Sequence, residues 1–376
     1  MINIHLANDQ KFINQSRDRF ERIFPGLNIF VIDNEYSKAK FVIPHENTLF
    51  MEVQQLSTYH YLKNICDKHS EINVFIHLLN SKKAALVSQL KLHYSLSTYW
   101  IFYGTDLYQL LEKRGIYKLY DRDNIHFQGW NLLKVKKMIR HTIIKDQNGK
   151  NIQDFIKNLD FFCFWNYYDH NLLLKNFTTR AIFKPFIYES FNIHNSKLVN
   201  KNSLRPIVLV NHSGSETGNH KTILKKILKL GAGKRIKKII VPLSYGNLNT
   251  INDVNDFGIN NFESIYEPIS DFLPKKDYFN LLGEVDVAFF GHRRQEAGGN
   301  ILFLLASGVK VFLRKSNNLF TFFKDLGVNI YNLEEDFSDF SDLVPLNKNL
   351  QINNRRIILS EFSEEKIDYM YKNLLN

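Results

Sequence analysis

The sequence predicts an α/β protein in two halves, each a parallel sheet with helices on both faces. Three observations lead there. The strand candidates are short continuous apolar runs, as strands buried on both faces must be. Stretches of helical spacing separate them, which is the βαβ rhythm of a parallel sheet. That rhythm lapses between Tyr188 and Pro206, a polar run with Asn192, His194, Asn195, Ser196, Asn200, Asn202 and Ser203, and then restarts. A chain of 376 residues is long for one core, and it reads as domains of 1–195 and 196–376.

In the first half, Asn28–Ile32, Ile72–His77 and Tyr99–Tyr103 read as buried strands, with helical spacing between Glu52 and His69 and from Ser81 to Gln89. A helix over Ile152–Leu159, a strand at Phe161–Trp165 and a last strand at Ala181–Phe186 close this half. The second half starts with a strand at Ile207–Val210 and a helix at Lys221–Leu230. Strands at Lys238–Pro242 and Val285–Phe290 follow, with a helix at Lys275–Leu282 between them. The Gly-rich stretch from Gly291 leads into an apolar helix ending at Gly308, and a strand at Val309–Leu313 comes next. The tail Ser360–Leu375 has helical spacing, with Ser360 or Ser363 as the cap, and this last helix is able to pack back on the first half.

The formal net charge of +11 and isoelectric point near 9.3 call for an anionic partner or surface. Nucleic acid, a negatively charged membrane leaflet and a phosphorylated substrate all qualify. Lys113–His141 is basic and aromatic, with Lys134, Lys136, Lys137, Arg140 and His141 near Trp130. It reads either as a surface for lipid headgroups or as a solvated helix face. No secretory leader and no apolar run of membrane-spanning length is visible, so membrane contact is expected to be peripheral. The two cysteines, Cys66 and Cys163, form no CxxC pair and suit a reducing compartment.

Three strand ends of the second half carry polar or Gly-rich loops: Asn211–His220, Pro242–Gly246 and Gly291–Asn300. Ligands of open parallel sheets bind outside the carboxyl ends of the strands, so these loops are expected to converge. The Ser213-Gly214 loop has neither a complete GxGxxG nor a P-loop pattern, although its N–H groups and hydroxyls suit phosphate. The third loop places Arg293 and Arg294 before a helix N-terminus, where N–H groups and the dipole favour anions. In the first half, His77 and Asp106 stand at strand ends, where a carboxylate would be expected to face the second domain across a cleft. Asp106 reads equally as a general base and as a helix N-cap, and His77 as a base or a satisfied core residue. No HExxH, GxSxG or metal-spaced carboxylate cluster is present.

Taken in order, these residues resemble a known family. Val74–His77, Trp100–Tyr108, Ser213-Gly214 with His220, Val241-Pro242 with Tyr245, Asp286, and Arg294-Gln295 with Gly299 are similar to the TDP-N-acetylfucosamine:lipid II N-acetylfucosaminyltransferases. The likeness spans most of the chain in short matches. Arg293, Glu296 and the loop after Ser213-Gly214 depart from the family pattern. The resemblance implies a GT-B glycosyltransferase, with two Rossmann-like domains facing across a cleft. The acceptor would sit on 1–195 and the nucleotide sugar on 196–376.

It implies transfer of a deoxy-amino sugar, such as 4-acetamido-4,6-dideoxygalactose, from a TDP-sugar to a polyprenyl-diphosphate-linked saccharide. The setting would be bacterial surface polysaccharide synthesis, peripheral on the cytoplasmic side of the inner membrane. Asp106 is then the expected base with His77 in reserve, and Arg294 stabilises the leaving pyrophosphate. Ser213, Gly214, His220, Pro242, Tyr245, Arg293, Gln295, Gly298, Gly299 and Asn300 would hold the donor. No cofactor and no metal is expected, since helix dipole and cation meet the charge. The alternatives are a GT-B enzyme using another nucleotide sugar, and a basic module binding nucleic acid or an anionic surface.

Overall fold

The structure is a computed structural model that describes residues 1–124, 151–188, 193, 196–198 and 205–375. The basic aromatic residues Trp130, Lys134, Lys136, Lys137, Arg140 and His141, and most of the polar run at 188–206, lie outside the described residues. The described chain forms two compact units. The first takes 1–114, 151–188 and 364–375, and the second takes 115–124 together with the stretch from 193 to 363. The units thus change over near 190 and not at 195. Two further segments cross the expected division: 115–124 belongs with the second unit, and the C-terminal helix belongs with the first.

The first unit holds a seven-stranded sheet in the order β3-β2-β1-β4-β5-β6-β7. Its strands are β1 Ile2–Ala7, β2 Asn28–Ile32, β3 Thr48–Phe50, β4 Ile72–His77, β5 Ser97–Ile101, β6 Phe161–Cys163 and β7 Ile182–Lys184. Every pairing is parallel. β1 is an interior strand between β2 and β4, and the sequence reading passed over it because Asn3 and His5 interrupt its apolar run. Asn3 finds its hydrogen-bond partners in the sheet, and the His5 ring is packed there between aromatic neighbours. Asn3 stands in register between Asn28 and Asn73, and the three amides form a ladder of 3.1 Å hydrogen bonds. The His5 ring stacks on Phe30 at 4.0 Å and on Phe75 at 4.7 Å, its register neighbours on either side.

The second unit holds a six-stranded parallel sheet in the order β10-β9-β8-β11-β12-β13. Its strands are β8 Ile207–Val210, β9 Lys238–Pro242, β10 Tyr266–Ile269, β11 Val287–Phe290, β12 Lys310–Leu313 and β13 Tyr331–Asn332. This is the doubly wound order, whose switch point falls between β8 and β11. The core beneath it is aliphatic and aromatic, with Val208, Val210, Ile239, Val241, Phe289 and Phe312 fully buried. The helix Leu248–Phe262 was not expected, because its Asn-rich sequence hides a narrow buried stripe of Thr250, Val254, Gly258 and Phe262 at i, i+4 spacing. Asn247 caps it by accepting the Thr250 N–H. The expected single tail helix is two helices. Lys348–Glu361 runs through Ser360, and Glu364–Lys372 starts after a break at Phe362.

Candidate active site

The loops after β8 and β11 flank the switch point of the second unit and are bonded to each other. Asn211, fully buried with φ at 61°, donates its side-chain N–H to Gly218 O at 2.9 Å and accepts from Gly291 N at 2.9 Å. Asn219, also left-handed at 49°, donates to Gly291 O and Thr217 O at 3.0 Å and to Leu119 O at 3.1 Å. Short asparagine side chains tolerate this backbone region and bond local backbone groups, which is why they stand at both corners. At Gly291 a Cβ would lie 2.1 Å from Gly218 O, so only glycine allows the two loops this close.

The loop after β9 joins them through a second glycine pair. Gly214 N donates to Tyr245 O at 2.8 Å, Asn247 N donates to Gly214 O at 3.0 Å, and Gly214 and Gly246 form an isolated parallel bridge. A Cβ on Gly246 would meet the Gly214 backbone at 2.3 Å. The loops Asn211–His220, Pro242–Gly246 and Gly291–Asn300 are thus tied together, the first to the third by asparagine side chains and the first to the second by backbone hydrogen bonds.

The two arginines do different work. Arg293 turns to Asp121, with its NH2 2.6 Å from Oδ1. The same carboxylate takes the buried Arg314 guanidinium and the Thr222 hydroxyl at 2.6 Å. Burial works against ionisation of Asp121, but Thr222, Arg293 and Arg314 outweigh it and lower its pKa. Arg293 is thus committed to an internal network that residues 115–124 supply. Arg294 is 8 % exposed, and its NH2 lies 2.7 Å from Glu296 Oε2 while NH1 donates to Gln295 O at 3.1 Å. Gln295 is also buried.

Glu296 was outside the expected site, yet it is the hub. Its Oε2 accepts from Thr217 at 2.7 Å, and its Oε1 lies 3.6 Å from His292 Nε2 and 4.0 Å from His212 Nε2. Burial raises the Glu296 pKa, but His292, Arg294, His212 and the Thr217 hydroxyl together hold it down at about 2. Burial pushes His292 down to about 3 and His220 to about 4, so both rings are neutral at pH 7. His220 opens the helix His220–Lys229 behind this loop. The helix Gly298–Ala306 starts with Gly298, Gly299 and Asn300, and Asn300 donates to the Tyr278 hydroxyl at 3.1 Å. Ala297 precedes it at φ 62°, with no side-chain cap on the helix. Tyr245 is half exposed, Ser213 is buried in the first loop, and Pro242 ends β9.

In the first unit, Asp106 sits in the first turn of the helix Thr105–Lys113 and is 7 % exposed. Oδ2 accepts from Trp100 Nε1 at 2.6 Å and Leu79 N at 3.1 Å, and Oδ1 accepts from Tyr103 N at 3.2 Å. Burial raises its pKa against these donors. His77 is fully buried, with Nε2 3.1 Å from His5 Nδ1 and Nδ1 3.1 Å from the Tyr188 hydroxyl. Both ring nitrogens are engaged within the first unit.

Comparisons with known proteins bear on the family and the fold. The profile of the 4-alpha-L-fucosyltransferase family, glycosyl transferase group 56, matches residues 165–360, which include all three loops. Among solved structures, a sucrose-phosphate synthase from Thermosynechococcus elongatus is similar at TM-score 0.64 and 10 % identity, over 100 % of this chain and 98 % of that one. A glycosyltransferase from Rickettsia africae is similar at 0.60 and 14 % identity, over 100 % and 99 %. WaaG, a glycosyltransferase involved in lipopolysaccharide biosynthesis, is similar at 0.55 and 10 % identity, over 99 % and 98 %. At these identities the likeness concerns the fold, which is that of GT-B glycosyltransferases. The family profile covers more than half of the sequence, and the chain belongs to the 4-alpha-L-fucosyltransferase family, glycosyl transferase group 56, as a glycosyltransferase.

Proposed function

We propose that the protein moves a deoxy-amino sugar, such as 4-acetamido-4,6-dideoxygalactose, from a TDP-sugar to a polyprenyl-diphosphate-linked saccharide. The observation that carries the donor half of this reading is the trio of loops tied together at the switch point of the second sheet. They bring Arg294 and the N-terminus of the helix Gly298–Ala306 to the carboxyl ends of the strands. A guanidinium has five N–H groups, and the two contacts of Arg294 leave others for a diphosphate oxygen. Together with the N–H groups of the helix start, it meets the negative charge that develops as the nucleoside diphosphate leaves. Tyr245, half exposed beside the Ser213-Gly214 loop, suits a nucleotide contact.

For the acceptor hydroxyl, Asp106 is the proposed base, and its raised pKa is the direction that proton abstraction needs. The lipid-linked acceptor implies a peripheral enzyme on an anionic leaflet, in keeping with the net charge of +11. Among the described residues no helix is long and apolar enough to cross a membrane.

Thermal shift with TDP, UDP and GDP, followed by turnover with the corresponding sugars and a polyprenyl-linked acceptor, tests the reading. TDP is expected to stabilise most. Stabilisation by UDP or GDP alone would transfer the same site to another donor. Stabilisation by oligonucleotides and by no nucleoside diphosphate would end the enzyme reading.

A further inference from the structure

The loops after β8 and β11 bring together three metal-ligating side chains that donor binding by Arg294 and the helix start does not use. One ring nitrogen each of His212 and His292 and one oxygen of Glu296 lie within 4.8 Å of one another. Oε1 of Glu296 stands 3.6 Å and 4.0 Å from the two imidazole nitrogens, too far for hydrogen bonds and close enough to share an ion. His292 is fully buried, and neither of its ring nitrogens has a hydrogen-bond partner. A buried polar side chain without a partner is costly, and here it points at a carboxylate it does not reach.

We propose that His212, His292 and Glu296 bind a divalent transition-metal ion of the zinc class, which cross-links the loops Asn211–His220 and Gly291–Asn300. Two imidazoles and one carboxylate are a known zinc donor set that leaves a position open for a further oxygen. The nitrogen ligands disfavour magnesium, which seeks oxygen and keeps its waters. The carboxylate is already oriented for single-oxygen ligation. Its Oε2 is occupied by Thr217 at 2.7 Å and by Arg294 at 2.7 Å, and Thr217 is in turn 2.8 Å from Ser215. Such outer partners fix a ligand's direction and tune its affinity. The proposal sets aside the metal-free loop expected from the sequence. It stands on loop geometry alone, so its failure would leave the transferase reading untouched.

The full chain, stripped of metal by chelator and dialysis, is titrated with Co2+ and read by visible absorption, and with Zn2+ by competition; Mg2+ is the control. The expected result is one equivalent bound with low-coordinate cobalt bands, displaced by zinc and not by magnesium. Glu296→Gln and His292→Ala should weaken binding by more than about a hundredfold, and Thr217→Val by about tenfold. Should His292→Ala fail to fold, His212→Ala, whose ring is nearer the surface, carries the same test. Absence of saturable uptake by the unaltered chain would overturn the proposal. So would uptake that survives Glu296→Gln and His212→Ala, because the ion would then sit elsewhere.

Discussion

At the scale of single residues, the two adjacent arginines make separate predictions. Arg294→Ala should lower transfer by about a hundredfold or more, as loss of one donor to a developing oxyanion does, with circular dichroism unchanged. Full turnover in that variant would remove Arg294 from the mechanism. Arg293 is held by Asp121, so changes here should act on stability. Asp121→Ala leaves the buried Arg314 guanidinium with only the more exposed Glu334 as counter-charge and should cost about 3 kcal/mol in chemical denaturation. A variant as stable as the parent would mean that the network is incidental. The dipeptide Arg293-Arg294 looked like one cationic motif because sequence shows charge and not partners. Asp121 and Glu296 are what divide the pair; Asp121 reaches its partners only through the fold, and Glu296 stood out only as a departure from the family pattern. The same holds for His77, whose strand-end position was legible but whose engagement by His5 and Tyr188 was not.

At the scale of elements, the strands that were legible are those with unbroken apolar runs, such as Ile207–Val210 and Val287–Phe290. Those that were not are β1, whose Asn3 and His5 find their bonding and stacking partners on neighbouring strands, and edge strands of two to four residues such as β3, β10 and β13. A polar residue in a central strand can be recognised only once its cross-strand partner is known. The site loops were legible as loops from their Gly and Asn content, but the closeness of their approach was not. The Gly214–Gly246 bridge makes that closeness testable. Gly246 has φ 140° and no room for a Cβ, so Gly246→Ala should destabilise the second unit by at least about 1–3 kcal/mol. It should also weaken nucleoside-diphosphate binding, read by thermal melts and titration of one preparation. A loss of binding with no loss of stability would contradict the bridge as a structural tie.

At the scale of the molecule, the first unit carries a built-in acid sensitivity. Burial lowers the pKa of His5 to about 3, and His77 lies well below its ordinary value of 6.5. In the unfolded chain both rings protonate near 6.5, so below that pH the unfolded state binds more protons than the native one. Stability is therefore complete above about 6.5. It should decline as the pH falls toward about 3, by at most about 1.4 kcal/mol per pH unit for each ring. Urea melts across that range should show the slope, and His5→Phe should flatten it; an unchanged slope in the variant would assign the sensitivity elsewhere.

The C-terminal helix makes the second whole-molecule prediction. Arg19, on the helix Ile13–Ile23, bonds both Glu364 and Asp368, Ser16 bonds the Tyr371 hydroxyl, and the Tyr371 ring packs 4.8 Å from Phe20. Deleting 364–376 should raise proteolysis of the first unit and spare the second.

That last helix also orders events in time. The first unit contains both the beginning of the chain and its final described residues, while 115–124 interrupts it to complete the Asp121 network of the second. On a ribosome, Arg19 and Tyr108 emerge long before Tyr371, so the first unit must wait, without its closing helix, while the other is made. Domains usually fold as they emerge, amino end first. Here the second unit is the one whose sequence is finished first, and it should be protected from protease earlier on a stalled nascent chain. It also follows that no single cut releases two intact halves. Cleavage near residue 190 leaves one piece without Glu364–Lys372 and the other without Asp121.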